Sequence, residues 1–195
     1  MSIDPAEVRK AVITHYDAIW NRHEKEIVDD PSWTVRSVTK SFRVCRVHPG
    51  KENPIEPYVY LSLGASELTA GSGTGLEFFL LSRDRQDEHV KNIAEIGARH
   101  ANIPGGLTPG SVLPMGRPLL KNATVDHLLV TLPYPYGPAL EEVASPPGTQ
   151  IRVLWLLPIT RSEASFAKKN GVEALEQKFE SVYMDFTEFG RASVV

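Results

Sequence analysis

The sequence is poor in cysteine: Cys45 is the single thiol among its 195 residues. One thiol excludes an intrachain disulfide, and it also excludes the cysteine-based zinc sites that need at least two thiolates. Cys45 lies in the β-prone run Phe42–Val47, with no helix N-terminus beside it to lower its pKa. We therefore interpret it as a small hydrophobic residue of the core rather than as a nucleophile.

The chain also lacks a strong net charge and long apolar runs. Its 21 basic and 24 acidic side chains give a formal net charge of −3, without the basic excess that favours nucleic acid or an anionic membrane. No run reaches the roughly 18 apolar residues of a membrane helix, and the N-terminus has neither the basic nor the apolar region of a signal peptide. We therefore predict a cytoplasmic protein with no nucleic-acid or membrane partner.

Hydrophobic periodicity predicts both helices and strands. Asp4 and Pro5 suit the N-cap and first position of a helix whose apolar residues recur with a period near 3.6. A second helix is predicted over 87–98, and Thr160 with Glu163 forms a capping-box pattern before the C-terminal helices. Alternating or fully apolar runs predict strands at Phe42–Val47, Tyr58–Leu63, Leu76–Leu81, His127–Leu132 and Ile151–Leu157.

This order of elements favours a single domain over residues 1–195, of the α+β (mixed α/β) class. Its centre would be a largely antiparallel or mixed β-sheet with helices packed against it. Leu76–Leu81 is apolar on both faces apart from Glu77, which predicts a central, covered strand. We interpret Ile151–Leu157 as a core strand, with an interface strand of an oligomer as the alternative.

Motifs for catalysis or cofactor binding are missing from the sequence. The glycine-rich stretch Gly71–Gly75 leads into a strand rather than a helix N-terminus, so it lacks the geometry of a phosphate-binding loop. No Gly-x-Ser-x-Gly elbow occurs, and none of the six histidines forms the His-x-x-x-His spacing that places two imidazoles on one helix face. We predict no catalytic residue, no cofactor and no metal.

Three residues are candidates for partner binding: Glu77, Tyr134 and Tyr136. Glu77 stands between apolar neighbours, where an unpaired carboxylate costs several kcal/mol. It is interpreted as an acid, a member of a buried ion pair or a partner contact, with a partly open sheet face as the alternative. The turn Pro133–Pro138 carries both tyrosines, and this composition combines low conformational entropy with amphipathic contact area. The alternative is a rigid turn whose tyrosines cover the edge of the core.

A rival hypothesis is a small-molecule enzyme or ligand binder. Its site would combine Glu77, His127 and the Gly/Pro-rich loop 103–118, since loops of this length inside a compact domain are often functional. A deep pocket that holds Glu77 within hydrogen-bond distance of a histidine would favour this hypothesis.

Short motifs in the second half of the chain carry a resemblance to a known family. They are Gly75–Leu80, Ala98–His100, Gly110–Leu113, Gly116–Pro118 and Leu154–Thr160, followed by Glu163, Phe166, Gly171 and Glu173–Leu175. In this order and spacing they resemble the suppressor of fused domain family, in its bacterial single-domain branch. The resemblance is clearest over residues 76–180 and looser before them.

The resemblance implies a mixed α/β domain that binds proteins and needs no cofactor. Animal members bind transcription factors of Hedgehog signalling and carry a further C-terminal domain, whereas this sequence ends at Val195, so we do not expect that binding here. Short bacterial members resemble immunity proteins, which bind and neutralise a toxin encoded beside them. The sequence therefore leads to the hypothesis of a non-enzymatic protein-binding domain, and in its more specific form to the hypothesis of an immunity protein. The oligomeric state stays open.

Overall fold

The computed structural model describes residues 4–29, 41–68 and 74–195. Residues 71–73 of the predicted glycine-rich connection lie outside these ranges. The helices in the described residues are α1 (Pro5–Ile19), a 3-10 turn (Ser66–Leu68), α2 (Glu88–Asn102), α3 (Pro138–Glu141), α4 (Arg161–Asn170) and α5 (Val172–Ser181). The strands are β1 (Lys25–Val28), β2 (Arg43–Val47), β3 (Tyr58–Leu63), β4 (Thr74–Ser82), β5 (Val112–Pro114), β6 (Val125–Thr131), β7 (Glu142–Val143) and β8 (Gln150–Thr160).

The described strands form one sheet with the order β1-β2-β3-β4-β8-β6-β5, and β7 pairs with the N-terminal half of β8. Neighbouring strands run antiparallel except for β4 and β8, which are parallel. The parallel pair lies at the centre, where both strands are buried on both faces, as the apolar runs predict. The predicted mixed, largely antiparallel sheet is confirmed.

Helices cover both faces of the sheet, so the fold has three layers. One face packs against α1, α4 and α5, and the other packs against α2 and the segment that follows it. The alternation of β3 assigns its residues to these layers as the sequence predicts: Val59 and Leu61 join the first layer, Tyr58 and Tyr60 the second. With both faces covered, apolar side chains can fill every position of the central strands.

The helix ends follow the capping patterns of the sequence. Asp4 caps α1 by accepting a hydrogen bond from the Ala6 amide at 2.9 Å, and Thr160 and Glu163 form a reciprocal capping box at α4. Glu163 has a second role that the pattern did not predict. Its buried carboxylate accepts two hydrogen bonds from the Arg191 guanidinium, at 2.6 and 2.8 Å, and so holds the C-terminal segment against the sheet.

Two local environments differ from the impression given by the sequence. β2 lies next to the edge strand β1, yet its Arg46 is fully buried and pairs with Glu26 and Asp87 at 2.6 and 2.5 Å. Its guanidinium also lies 5.2 Å from the ring centre of Tyr60, so aromatic and ionic contacts replace water. The loop 103–118 contains strand β5 and is therefore partly regular.

Candidate functional site

Glu77 is fully buried in β4, and its carboxylate is surrounded by donors from the neighbouring turn. Oε1 accepts hydrogen bonds from the Gly64 amide at 3.0 Å, the Ser66 amide at 3.1 Å and the Ser66 hydroxyl at 2.7 Å. Oε2 accepts from the Ala65 amide at 3.3 Å and from the Ser62 hydroxyl. Five donors thus meet a group with about four acceptor sites, so the carboxylate has no capacity left for a ligand.

The position of Glu77 follows from the end of a strand ladder. Pairing between β3 and β4 stops at Leu61 and Phe79, β3 continues beside β2 as far as Leu63, and the chain then turns away from the sheet. The turn leaves backbone amides without strand partners, and the Glu77 carboxylate satisfies them. Burial raises the pKa of Glu77 above its ordinary value, while the hydrogen bonds from Ser62 and Ser66 oppose the shift.

The prediction that Glu77 contacts a partner directly is therefore wrong, and so is the alternative that its sheet face is partly open. The side chain reaches only donors of its own chain, and within the described residues it forms no ion pair. Glu77 instead fixes the connection from β3 to the 3-10 turn.

His127 lies far from Glu77 in the sheet. Glu77 is paired with Val153 of β8, and His127 is paired with Ile159 of the same strand. An extended strand rises about 3.3 Å per residue, which places these positions roughly 20 Å apart along β8. His127 bonds instead to the neighbouring Asp126 at 2.6 Å. The small-molecule site predicted from these two residues is therefore not assembled.

The loop 103–118 is anchored to the core rather than open around a cavity. The Leu107 amide donates to His100 Nδ1 at 2.9 Å, and the buried Leu107 packs in the α2 layer. Gly110 and Ser111 exchange backbone hydrogen bonds with Val130 of β6 at 2.8 and 2.9 Å. The loop thus extends the sheet edge and has a structural role.

The proline turn 133–138 presents its two tyrosines differently. The carbonyl of Pro133 accepts hydrogen bonds from the Tyr136 and Gly137 amides at 2.9 and 2.7 Å, which closes the turn. Tyr134 is 59% exposed, whereas Tyr136 is half-buried. The Tyr136 ring makes edge contacts with Trp20 and Phe79, at centroid distances of 5.3 and 5.7 Å. One tyrosine therefore anchors the turn, whereas the other keeps most of its ring exposed and makes one long hydrogen bond, of 3.5 Å, from its hydroxyl to Glu176.

Tyr136 forms one wall of a surface depression of about 250 Å³ that we call the Tyr136 groove. The groove lies between the C-terminal end of α1, the turn 133–138 and the ends of β2 and β3. Its apolar walls are Ile19, Trp20, Val47, Pro57, Val59 and Tyr136, and its polar residues are His23, His48 and Glu56. Ile55, which precedes Glu56, is 89% exposed at the rim.

The polar end of the groove is a histidine–carboxylate pair. Glu56 accepts hydrogen bonds from His23 Nε2 at 3.0 Å, the Gly50 amide at 3.1 Å and the Asn53 side-chain amide at 3.1 Å. The His23 hydrogen bond holds the pKa of Glu56 below its ordinary value, so the carboxylate is ionised at neutral pH. Burial, with a smaller contribution from this charge, raises the pKa of Tyr136 to about 12.

Acceptor capacity remains at this end of the groove. The Nδ1 atom of His23 is buried without a hydrogen-bond partner in the described part of the chain. Three donors reach the Glu56 carboxylate, which leaves one of its roughly four acceptor sites open.

A second depression, of about 460 Å³, continues beyond His48. It is lined by charged residues, among them Arg22, Lys51 and Asp84, and it shares His48 with the Tyr136 groove. Because His48 lines both depressions, they are neighbours and together offer a larger surface than either one alone.

Residues 4–29, 41–68 and 74–195 contain neither a metal-binding cluster nor a membrane-spanning helix. No group of three or more His, Cys, Asp or Glu side chains there is arranged to hold a metal ion. No helix in these ranges is both long enough and apolar enough to cross a membrane.

Comparison with known families identifies the chain. Residues 38–192 match the suppressor of fused protein (SUFU) family. The chain belongs to the SUFU family. No curated protein matches the sequence.

Solved structures agree with this assignment to the SUFU family. The chain is similar to a SUFU homologue from Neisseria gonorrhoeae FA 1090, at 30% identity and a TM-score of 0.82, over 97% of this chain and 98% of that chain. It shares its fold with a crystal structure of the Sufu–Fu complex, at 13% identity and a TM-score of 0.72, over 98% of this chain and 93% of that chain. Drosophila Suppressor of Fused gives 14% identity and a TM-score of 0.65, over 99% of this chain and 54% of that chain.

The SUFU domain brings Tyr136 together with residues that the sequence did not single out. His23, Glu56 and Ile55 come from segments with weak periodicity. One signal was available: Pro54 and Pro57 enclose an apolar and an acidic residue, much as prolines enclose the tyrosines of the turn 133–138. Prolines on both sides of an exposed apolar residue restrict the backbone, which indicates that the side chain is held in place at the surface.

Proposed function

We propose that this SUFU domain is a protein-binding module and that its partner docks across the Tyr136 groove and the exposed Tyr134. The observation that carries the proposal is the closed proline turn, which presents Tyr134 at 59% exposure two residues from Tyr136, a wall of the groove. Tyrosines on a rigid support provide contact area at low entropic cost and are enriched in protein interfaces.

The size of the groove supports a protein partner over a metabolite. Ligand pockets usually enclose about 300–1,000 Å³ and bury most of the ligand. The Tyr136 groove, at about 250 Å³, is smaller than this range and suits a single inserted side chain. Membership of the SUFU family also supports binding, since one structure with this fold is that of the Sufu–Fu complex.

We further propose that the partner is a toxin and that binding neutralises it, which makes the chain an immunity protein. The support is the resemblance of short bacterial members of the family to immunity proteins. In this function the domain acts by occupying a surface of the toxin, and no catalytic residue is required.

The test uses the tagged full chain as bait in lysate from its source organism, followed by mass spectrometry. We expect a stoichiometric partner that is lost with Tyr134→Ala and retained with Tyr183→Ala, a matched control because Tyr183 is 97% exposed outside the turn. A folded bait that captures no stoichiometric partner contradicts the binding function.

Immunity is tested separately with the captured partner. Its expression alone should arrest growth of a bacterial host, and co-expression of the wild-type chain should restore growth while Tyr134→Ala restores it less. A partner that is harmless when expressed alone contradicts immunity and leaves protein binding intact.

A further inference from the structure

The residues that line the Tyr136 groove share one electrostatic property. Glu56 supplies a negative charge, and the aromatic rings of Trp20 and Tyr136 supply electron-rich faces. Among the described residues the lining contains no lysine or arginine, and His48 is turned to another partner, with its Nε2 atom 3.3 Å from Glu26. The groove therefore offers a carboxylate and aromatic rings to a cation and holds no described lysine or arginine that would compete for them.

We propose that the Tyr136 groove receives an arginine side chain of the protein partner. The guanidinium donates a hydrogen bond to the remaining acceptor site of Glu56. Its planar face lies against the ring of Tyr136, while its methylene groups contact the apolar wall formed by Val47 and Val59. This inference rests on the proposed protein-binding function and specifies the side chain that is recognised.

Three properties of the site favour arginine over other side chains. A guanidinium carries its donors in a fixed plane, so it can direct one of them at the Glu56 carboxylate while its face stays on the Tyr136 ring, which a lysine ammonium does less well. Arginine also remains charged in such an aromatic contact. An acidic side chain would meet the ionised Glu56, and a purely apolar one would leave the open acceptor site of Glu56 without a donor.

Glu56 is suited to this role because its own contacts position it. Bonds from Gly50, Asn53 and His23 fix the carboxylate at the groove while 39% of the side chain remains exposed. Gly50 permits the close approach, since a Cβ atom at this position would lie 3.0 Å from the Glu56 carboxylate and 3.3 Å from His23 Nε2. The carboxylate is thus preorganised for a cation without being saturated.

The test is a titration with Nα-acetyl-L-arginine N-methylamide, followed by two-dimensional amide NMR of the full chain. The same measurement is made with the citrulline counterpart, which keeps the shape and loses the charge, and with the lysine counterpart. We expect saturable shifts at Trp20 and Tyr136 with the arginine probe. The citrulline probe should bind at least about fivefold more weakly, in line with the contribution of a charged hydrogen bond.

Matched variants assign the effect to the groove. Glu56→Gln, which removes the charge at constant shape, should weaken the arginine probe about fivefold or more. Glu52→Gln removes an exposed carboxylate from the same loop without changing the groove, and it should leave the affinity within about twofold. Overlaid spectra of the unbound variants establish that both are folded.

Three results would overturn the inference: equal binding of arginine and citrulline, stronger binding of lysine, or shifts that appear away from Trp20 and Tyr136. These results are distinct from failure of the proposed function. If the captured partner is still lost with Tyr134→Ala but binds Glu56→Gln with unchanged affinity, protein binding stands and recognition of an arginine at Glu56 fails.

Discussion

Two glutamates of this fold differ in how many donors already surround them. Glu77 is fully buried and accepts five hydrogen bonds from its own chain, more than the roughly four acceptor sites of a carboxylate. Glu56 accepts three hydrogen bonds, which leaves one acceptor site open, and 39% of its side chain stays exposed. The first is therefore complete as a structural element, and the second can still take a ligand.

This difference shows that a residue can be unusual in its sequence context without having a binding or catalytic function. A lone carboxylate in an apolar strand attracts attention because burial without partners is costly. The turn after β3 meets that cost with its own amides and hydroxyls, so no ligand is needed. The capacity for binding lies where acceptors remain open at the surface.

Removing each carboxylate should give the largest difference in stability between the two regions. Glu77→Ala leaves three buried amides and two hydroxyls without their acceptor, and we expect a loss of roughly 3–5 kcal/mol in the free energy of unfolding. Glu56→Ala should cost less than about 1 kcal/mol, because its donors can turn to water. Chemical denaturation at neutral pH measures both. Equal losses would contradict the contrast between a saturated and an open carboxylate.

Truncating the two tyrosines of the proline turn should give the next largest difference. Tyr136→Ala removes edge contacts with Trp20 and Phe79 and should destabilise the fold by about 2–4 kcal/mol. Tyr134→Ala removes an exposed ring and should change stability by less than about 0.5 kcal/mol. Thermal unfolding monitored by circular dichroism compares the variants. A large loss for Tyr134→Ala would place that ring among the supports of the fold and weaken its assignment to binding.

The pH dependence of stability should distinguish two kinds of buried carboxylate. Burial raises the pKa of Glu77 above 4.5, so the native state holds this proton more tightly and stability falls as pH rises from 4.5 through the raised pKa. Burial acts in the same direction on Glu163, but the Arg191 hydrogen bonds outweigh it and lower the pKa below 4.5. The stability contributed by Glu163 is therefore present above 4.5 and is lost as pH falls through the lowered pKa.

The measurement is the free energy of unfolding of wild type, Glu77→Gln and Glu163→Gln across this pH range. The difference between wild type and Glu77→Gln should shrink as pH rises, whereas the difference between wild type and Glu163→Gln should grow. Slopes of the same sign would show that the five donors around Glu77 outweigh its burial, as the arginine does for Glu163.

Much of the fold could be predicted from the sequence because it depends on periodicity. The covered strand Leu76–Leu81, the alternation of Tyr58–Leu63 and the capping box at Thr160 each reflect local rules, and all three are confirmed. Strand β1 was not predicted, since Lys25–Val28 is short and polar and is ordered by pairing with β2. The buried state of Arg46 depends likewise on Glu26 and Asp87, which are distant in sequence.

The candidate site was predictable only in part. Tyr134 and Tyr136 could be singled out because the proline turn is a local feature. The contribution of His23 and Glu56 depends on a contact between residues 33 positions apart, which no local pattern encodes. Their partner role and that of Tyr134 remain predictions.

The most direct test of partner docking at this surface is site-specific photo-crosslinking in the source organism. A benzophenone amino acid replaces Ile55 or Tyr134 at the groove, or Lys121, an exposed residue on the α2 side of the sheet, as control. Docking across the Tyr136 groove predicts the same protein adduct from positions 55 and 134 and none from 121. Adducts at 121 alone, or different proteins at 55 and 134, would contradict it.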